Sequence, residues 1–164
     1  MSCITEILKL KGDKEVFIPV TKGEPWIAVE GGGTYKGHEY LIVLNKIGHR
    51  CGYVAMLPEH PFNNFSRFDD IDIECHGGVT FLDSDHGLKK LLPIPCTDKW
   101  IGFDCGDDLD LSDEEAFKKY FGQEIHDSRK SFFKDCGIEM FVRTFDYVEQ
   151  ECYSIIDQLI EKAA

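Results

Sequence analysis

Tyr40-Leu41-Ile42-Val43-Leu44-Asn45 and Cys51-Gly52-Tyr53-Val54-Ala55-Met56-Leu57 are the runs that decide the fold. Both are short, apolar and rich in β-branched or aromatic residues, the composition of strands buried in a sheet. Lys46-Ile47-Gly48-His49 between them reads as a hairpin loop, so the second run returns antiparallel to the first. Pro58 and Pro61 end it. Upstream, Val16–Val20 and Trp26–Val29 are further strands, and Ile4–Leu10 is a short strand or helical turn. Gly31-Gly32-Gly33 marks a sharp turn or a flexible loop. Downstream, Phe62–Phe68 is irregular, while Ile71–Glu74 and Val79–Leu82 are strand pieces. Trp100–Cys105 is a strand that runs into acid.

Helices follow late in the chain. Ser112-Asp113-Glu114-Glu115 fits a capping box with Ser112 as N-cap, predicting a helix from Asp113 to about Phe121. Phe145, Val148, Cys152, Ile155, Ile156, Leu159 and Ile160 recur at spacings of three, four and seven. They form one apolar stripe on a helix from about Phe145 to Lys162. Acid in its first turns and Lys162 in its last suit the macrodipole. The predicted class is α+β: an antiparallel or mixed sheet with the long C-terminal helix packed on one face. A length of 164 residues with 43% hydrophobic and 29% charged residues suits a single domain spanning 1–164. A chain of that size buries about 68–70% of its unfolded surface, enough to fold without disulfide or metal.

Thirty acidic against eighteen basic residues give a net charge of −12. Such a surface repels phosphate backbones, which argues against general DNA or RNA binding. An anion can still bind where local N–H groups set the field. Seven cysteines in odd number, without a C-x-x-C pair and behind a charged N-terminal stretch, predict reduced thiols in a cytoplasm. No apolar run reaches membrane-spanning length.

Two glycine-bearing motifs carry the chemistry. His76-Gly77-Gly78-Val79-Thr80-Phe81 offers an imidazole beside two glycines able to form a nest of N–H groups, or a β-bulge. Trp100-Ile101-Gly102-Phe103-Asp104-Cys105 carries a carboxylate at the end of an apolar strand, where it must be paired, hydrogen-bonded or metal-bound. The acids from Asp107 to Asp113 read instead as a solvated loop before a helix. His60, His76 and Asp104 together would make a two-histidine, one-carboxylate metal set, although no short-range ligand pair accompanies them. His38, His49, His86 and His126 read as surface residues. No nucleophile elbow, P-loop or dinucleotide fingerprint is present, and Cys105 reads as a small core residue.

Through Cys51-Gly52-Tyr53-Val54, Glu59-His60-Pro61, Asp69-Asp70-Ile71, the two motifs and Tyr147–Cys152, the chain resembles a family of small accessory proteins of tailed phages and prophages. Its pattern is HGG-x-T-[FY] followed by W-x-G-F-D-C. Family members follow Gly-Phe-Asp with a histidine and a later aspartate. Here Asp107 stands in that histidine's place, with Asp108 or Asp110 as the later acid, so one imidazole ligand is gone. The resemblance implies a protein active in the cytoplasm of an infected bacterial cell and, by analogy of class, capture of a host signal.

Three functions are therefore expected to compete. The first is a protein that binds and sequesters a small anionic ligand such as a cyclic nucleotide, with no cofactor. It would use His60, Arg67, His76, Gly77, Gly78, Thr80, Trp100 and Asp104, with Phe62 or Phe65 also able to stack on a base. The second is a phosphodiesterase or related hydrolase using a divalent metal on His60, His76 and Asp104. The third is a protein inhibitor whose acidic face mimics nucleic acid. A homo-oligomer is compatible with all three.

Overall fold

A computed structural model of the protein describes residues 16–21, 24–82 and 99–163. The expected element Ile4–Leu10 and residues Cys3, His86 and Cys96 lie outside them. The central hairpin pairs β3 (His38–Asn45) with β4 (Arg50–Ala55), Tyr40 opposite Val54 and Val43 opposite Cys51. Around it, β1 (Val16–Thr21), β2 (Glu24–Tyr35), β5 (Phe81–Leu82) and β6 (Trp100–Asp104) complete an antiparallel sheet ordered β1-β2-β3-β4-β6-β5. Leu41, Ile42, Val43 and Leu44 are all fully buried, so β3 is covered on both faces, and its continuous apolar run reflects this.

Helix α1 (Glu114–Phe121), α2 (Arg129–Asp135) and α3 (Phe145–Lys162) follow, with a two-stranded parallel ribbon of β7 (Asp110–Leu111) and β8 (Phe141–Val142). The long helix lies on β4, β3 and β2, as the apolar stripe predicts. Val148, Cys152, Ile155, Ile156 and Leu159 are fully buried against Tyr40, Ile42, Val54 and Phe103. Each such side chain contributes about 1.5–3 kcal/mol. Ile160 stands at the edge of the stripe and is exposed. Thr144 caps α3 by accepting from the Tyr147 N–H. A smaller cluster of Ala28, Leu44 and Phe117 seats α1. The fold is thus α+β with the C-terminal helix on the sheet, and no helix among the described residues is long and apolar enough to cross a membrane.

Three local expectations change. Gly31-Gly32-Gly33 is neither turn nor loop but the middle of β2, paired with Ile42, Leu41 and Tyr40. Its glycines serve close approach: a Cβ on Gly31 would lie 3.0 Å from the Phe145 ring, and one on Gly32 would collide with the Tyr40 carbonyl. Ile71–Glu74 forms no strand, because the Gln158 side chain takes both the N–H and the carbonyl of Glu74 (2.8 and 2.7 Å). Asp113, not Ser112, caps α1, accepting from the Ala116 N–H, while the Ser112 hydroxyl donates to the Ile47 carbonyl.

Candidate functional site

The start of α3 and the two glycine motifs meet at one end of the sheet. Cys75 to Gly78 form a turn closed by a bond from the Gly78 N–H to the Cys75 carbonyl, with Gly77 and Gly78 at φ 67° and 77°. Two successive left-handed residues favour glycine strongly. The turn points His76 between α3 and the acidic loop. Its Nδ1 lies 2.8 Å from the Tyr147 hydroxyl oxygen and its Nε2 lies 2.7 Å from Asp110 Oδ2. Tyr147 donates onward to Glu151, one helical turn later (3.2 Å).

Asp110 is 1% exposed and heavily partnered. Arg143 Nε donates to Oδ1 (2.8 Å) and the Asp107 N–H to Oδ2 (3.0 Å). Burial pushes this carboxyl upward, but Arg143 and His76 outweigh it, and its pKa falls below the ordinary value. Arg129 fastens the loop from behind, donating to the Asp110 carbonyl, to those of Asp107 and Asp108, and to Asp127. That guanidinium holds the Asp127 carboxyl down at about 2. The acids from Asp107 to Asp113 are therefore not one solvated loop. Asp107 and Asp108 meet solvent, whereas Asp110 is a buried anchor.

Beside this knot, a cleft of roughly 320 Å³ opens between the β3–β4 loop and the β5–β6 edge. Tyr53 and Phe81, edge to face at 5.2 Å, and Ile47 supply apolar surface. Asp104, Thr80 and Lys46 supply the polar lining. The Thr80 hydroxyl donates to Asp104 Oδ2 and the Gly106 N–H to Oδ1, both at 3.1 Å. Each carboxylate oxygen keeps a further lone pair for a ligand. Burial, reinforced by Asp104, raises the neighbouring Cys51 thiol to about 12 and raises Tyr53 as well, so both stay neutral. Cys51, Cys75, Cys105, Cys136 and Cys152 are free thiols.

Of the residues expected at one pocket, the structure assembles Thr80 and Asp104 in the cleft, and places His76, Gly77 and Gly78 in the adjoining knot. His60 is elsewhere. Its Nε2 donates to the Leu159 carbonyl (2.8 Å) and its Nδ1 accepts from the Phe62 N–H (3.1 Å). Leu159 and Tyr147 are twelve residues apart on α3, roughly 18 Å, so His60 and His76 cannot share a metal. Phe62 is buried against His60 and Phe65, and Trp100 is fully buried, which removes both as stacking platforms. Arg67 is an exposed side chain paired with Asp69 in a 3-10 turn. The set His60, His76 and Asp104 is not brought together. Instead His76, Asp107 and Asp110 bring three ligand atoms within 4.8 Å of one another. His38 and His49 are buried rather than superficial, at the start of β3 and in the β3–β4 loop; His126 is exposed.

Arg143 is the site residue that motif reading passes over; Asp110 enters it only as one alternative for the later acid of the resemblance, and Tyr147 only within the matched stretch Tyr147–Cys152. The local signal of Asp110 is a carboxylate set between Leu109 and Leu111, in a strand-like alternation. Compared with known proteins, the chain matches no family model, no curated protein and no solved structure.

Proposed function

We propose that the protein binds and holds a small nucleotide-derived anion in the Asp104 cleft, without converting it. The supporting observation is Asp104 itself: a half-buried carboxylate, steadied by Thr80 and Gly106, beside the aromatic edge of Tyr53 and Phe81. That surrounding suits a flat heterocycle whose ring N–H or exocyclic amine donates to the carboxylate. Lys46, also in the lining, carries the positive charge suited to the anionic part. Retention rather than turnover is favoured because His76 is not among the described residues that line the cleft, where a general base would have to stand. The mimic reading has less support, since Asp110 and Asp113 are engaged inward by Arg143 and Arg50. Sequestration of a host signal in an infected cell is the setting for this reading.

The test is to incubate the protein with a panel of nucleotides and cyclic nucleotides, with and without EDTA, then denature it and analyse the small molecules. Intact ligand released in both conditions is expected, with Asp104→Asn binding at least tenfold more weakly and its thermal transition within a few degrees of wild type. Turnover abolished by EDTA, or no binding at all, sinks the reading.

A further inference from the structure

We propose that His76 Nε2 with the carboxylates of Asp107 and Asp110 forms a binding site for one divalent first-row transition metal ion of the zinc class. The inference stands independently of what the Asp104 cleft binds.

Hydrogen-bond assignment leads to it. The Tyr147 hydroxyl has one proton, and Glu151 Oε1, 3.2 Å away, can only accept it. With Tyr147 donating to Glu151, the contact between Tyr147 and His76 has Nδ1–H donating to the phenol oxygen. This directs Nε2 at Asp110 Oδ2 (2.7 Å) and Asp107 Oδ2 (3.6 Å). That tautomer brings one nitrogen lone pair and two carboxylate oxygens to a common point, the donor set of a divalent metal ion.

The surroundings are those of a ligand set held in position. A metal-binding histidine characteristically donates its other ring N–H to a fixed acceptor, and ligating carboxylates are themselves hydrogen-bonded. Tyr147 does the first for His76, and Arg143 does the second through Asp110 Oδ1. Ligand atoms around zinc lie about 2.0–2.2 Å from the ion, hence roughly 3.3 Å from one another. The separations of 2.7 and 3.6 Å from His76 bracket that spacing, and the two carboxylate oxygens lie within 4.8 Å of each other. Charge also fits: Asp107, Asp110, Asp127 and Glu151 outnumber Arg129 and Arg143 around this point. The Asp107 side chain is 54% exposed, which provides entry for the ion and room for water ligands. A Cβ on Gly77 would sit 2.5 Å from Asp107 Oδ2, so the glycine leaves the space this carboxylate occupies above His76. One imidazole with two carboxylates favours zinc, manganese, iron or cobalt over calcium and magnesium, which prefer oxygen alone.

Cobalt(II) is the probe, added alone to the reduced full-length protein, with zinc affinity then read by competition against a chromophoric chelator. The expected result is one cobalt per chain, with d–d bands and no thiolate charge-transfer band. Asp107→Asn should weaken zinc at least tenfold, whereas Asp108→Asn, an equal change in charge on the same loop, should stay within twofold of wild type. Absence of d–d bands, a thiolate band, or equal losses in the two variants would overturn the proposal. Asp107 is a surface side chain, so its variant is expected to fold, which circular dichroism verifies before the titration.

Discussion

Helix α3 is held at each end by a histidine, His60 buried and His76 partly so, and the two do opposite things. Near its C-terminus, His60 donates from Nε2 to a backbone carbonyl and accepts at Nδ1 from a backbone N–H. Those partners define a neutral ring with both nitrogens satisfied, packed on Phe62 at 4.7 Å. Near the N-terminus, His76 faces a tyrosine on one side and carboxylates on the other, and the surrounding groups are charged: Asp110, Arg143, Asp107, Arg129. One end is a neutral plug and the other an ionic knot. Residue type does not separate them; the partners do. Backbone partners consume the ring for structure, whereas carboxylate partners leave a place for an exchangeable cation.

The largest expected effect tests whether charge dominates the second end. Arg50 on β4 is buried there, gripping Glu30 through Nε and Nη2 (2.7 and 3.1 Å) and Asp113 through Nη1 (2.7 Å). It also donates to the Arg143 carbonyl (3.0 Å), tying the approach to α3 and the N-cap of α1 to the sheet. Arg50→Ala strands the buried Glu30 carboxylate and should cost about 3–5 kcal/mol in urea unfolding. His60→Ala removes only neutral partners and should cost about 2–3 kcal/mol. If His60→Ala proves the more damaging, the contrast between the ends is wrong.

Acid should separate them next. The Asp110 and Asp127 carboxyls both titrate below their ordinary value of 3.8, Asp127 at about 2. A depressed folded-state pKa stabilises above the unfolded value and loses that contribution as pH falls through the folded one. The knot should therefore weaken between about pH 4 and pH 2. Asp127→Asn should lose about 2 kcal/mol at pH 7 and flatten the fall in stability across that window. His60→Ala leaves both carboxyls in place, so the loss between about pH 4 and pH 2 should persist in it. Unfolding free energies at pH 7, 4 and 3 decide the matter, and a wild-type slope in Asp127→Asn would break the assignment.

The difference between the ends also explains what could be read before the structure. The helix from Phe145 to Lys162 is legible because its burial is periodic, and period is a local property. The β3–β4 hairpin is legible for the same reason. The knot is not, because its parts lie far apart along the chain: His76 meets Asp110 and Tyr147 only once β6 and α3 are placed. Asp110 looked like one more acid in an acidic run, since neighbouring residues do not reveal that Arg143 neutralises it. His60 misled in the opposite way, because a histidine between prolines gives no sign that two backbone groups consume its ring. The three glycines of β2 misled through composition, since glycine marks close approach as readily as a turn.

The smallest effect sharpens the comparison most. Gly77 and Gly78 share a left-handed backbone, so an alanine at either costs about 1–2 kcal/mol. They differ in what the new methyl meets. At Gly78 nothing lies within 4 Å; at Gly77 the nearest atom is Asp107 Oδ2 at 2.5 Å. Asp107 ends in a mobile, exposed carboxylate that can swing aside, so the two variants should unfold within about 1 kcal/mol of each other. Swinging aside takes the carboxylate from His76, however, and removes one arm of the cation site. Gly77→Ala should therefore weaken cobalt and zinc binding about as much as Asp107→Asn, while Gly78→Ala leaves both near wild type. Equal metal affinity in the two glycine variants would mean that Asp107 is a surface acid, and that the knot ends at Asp110.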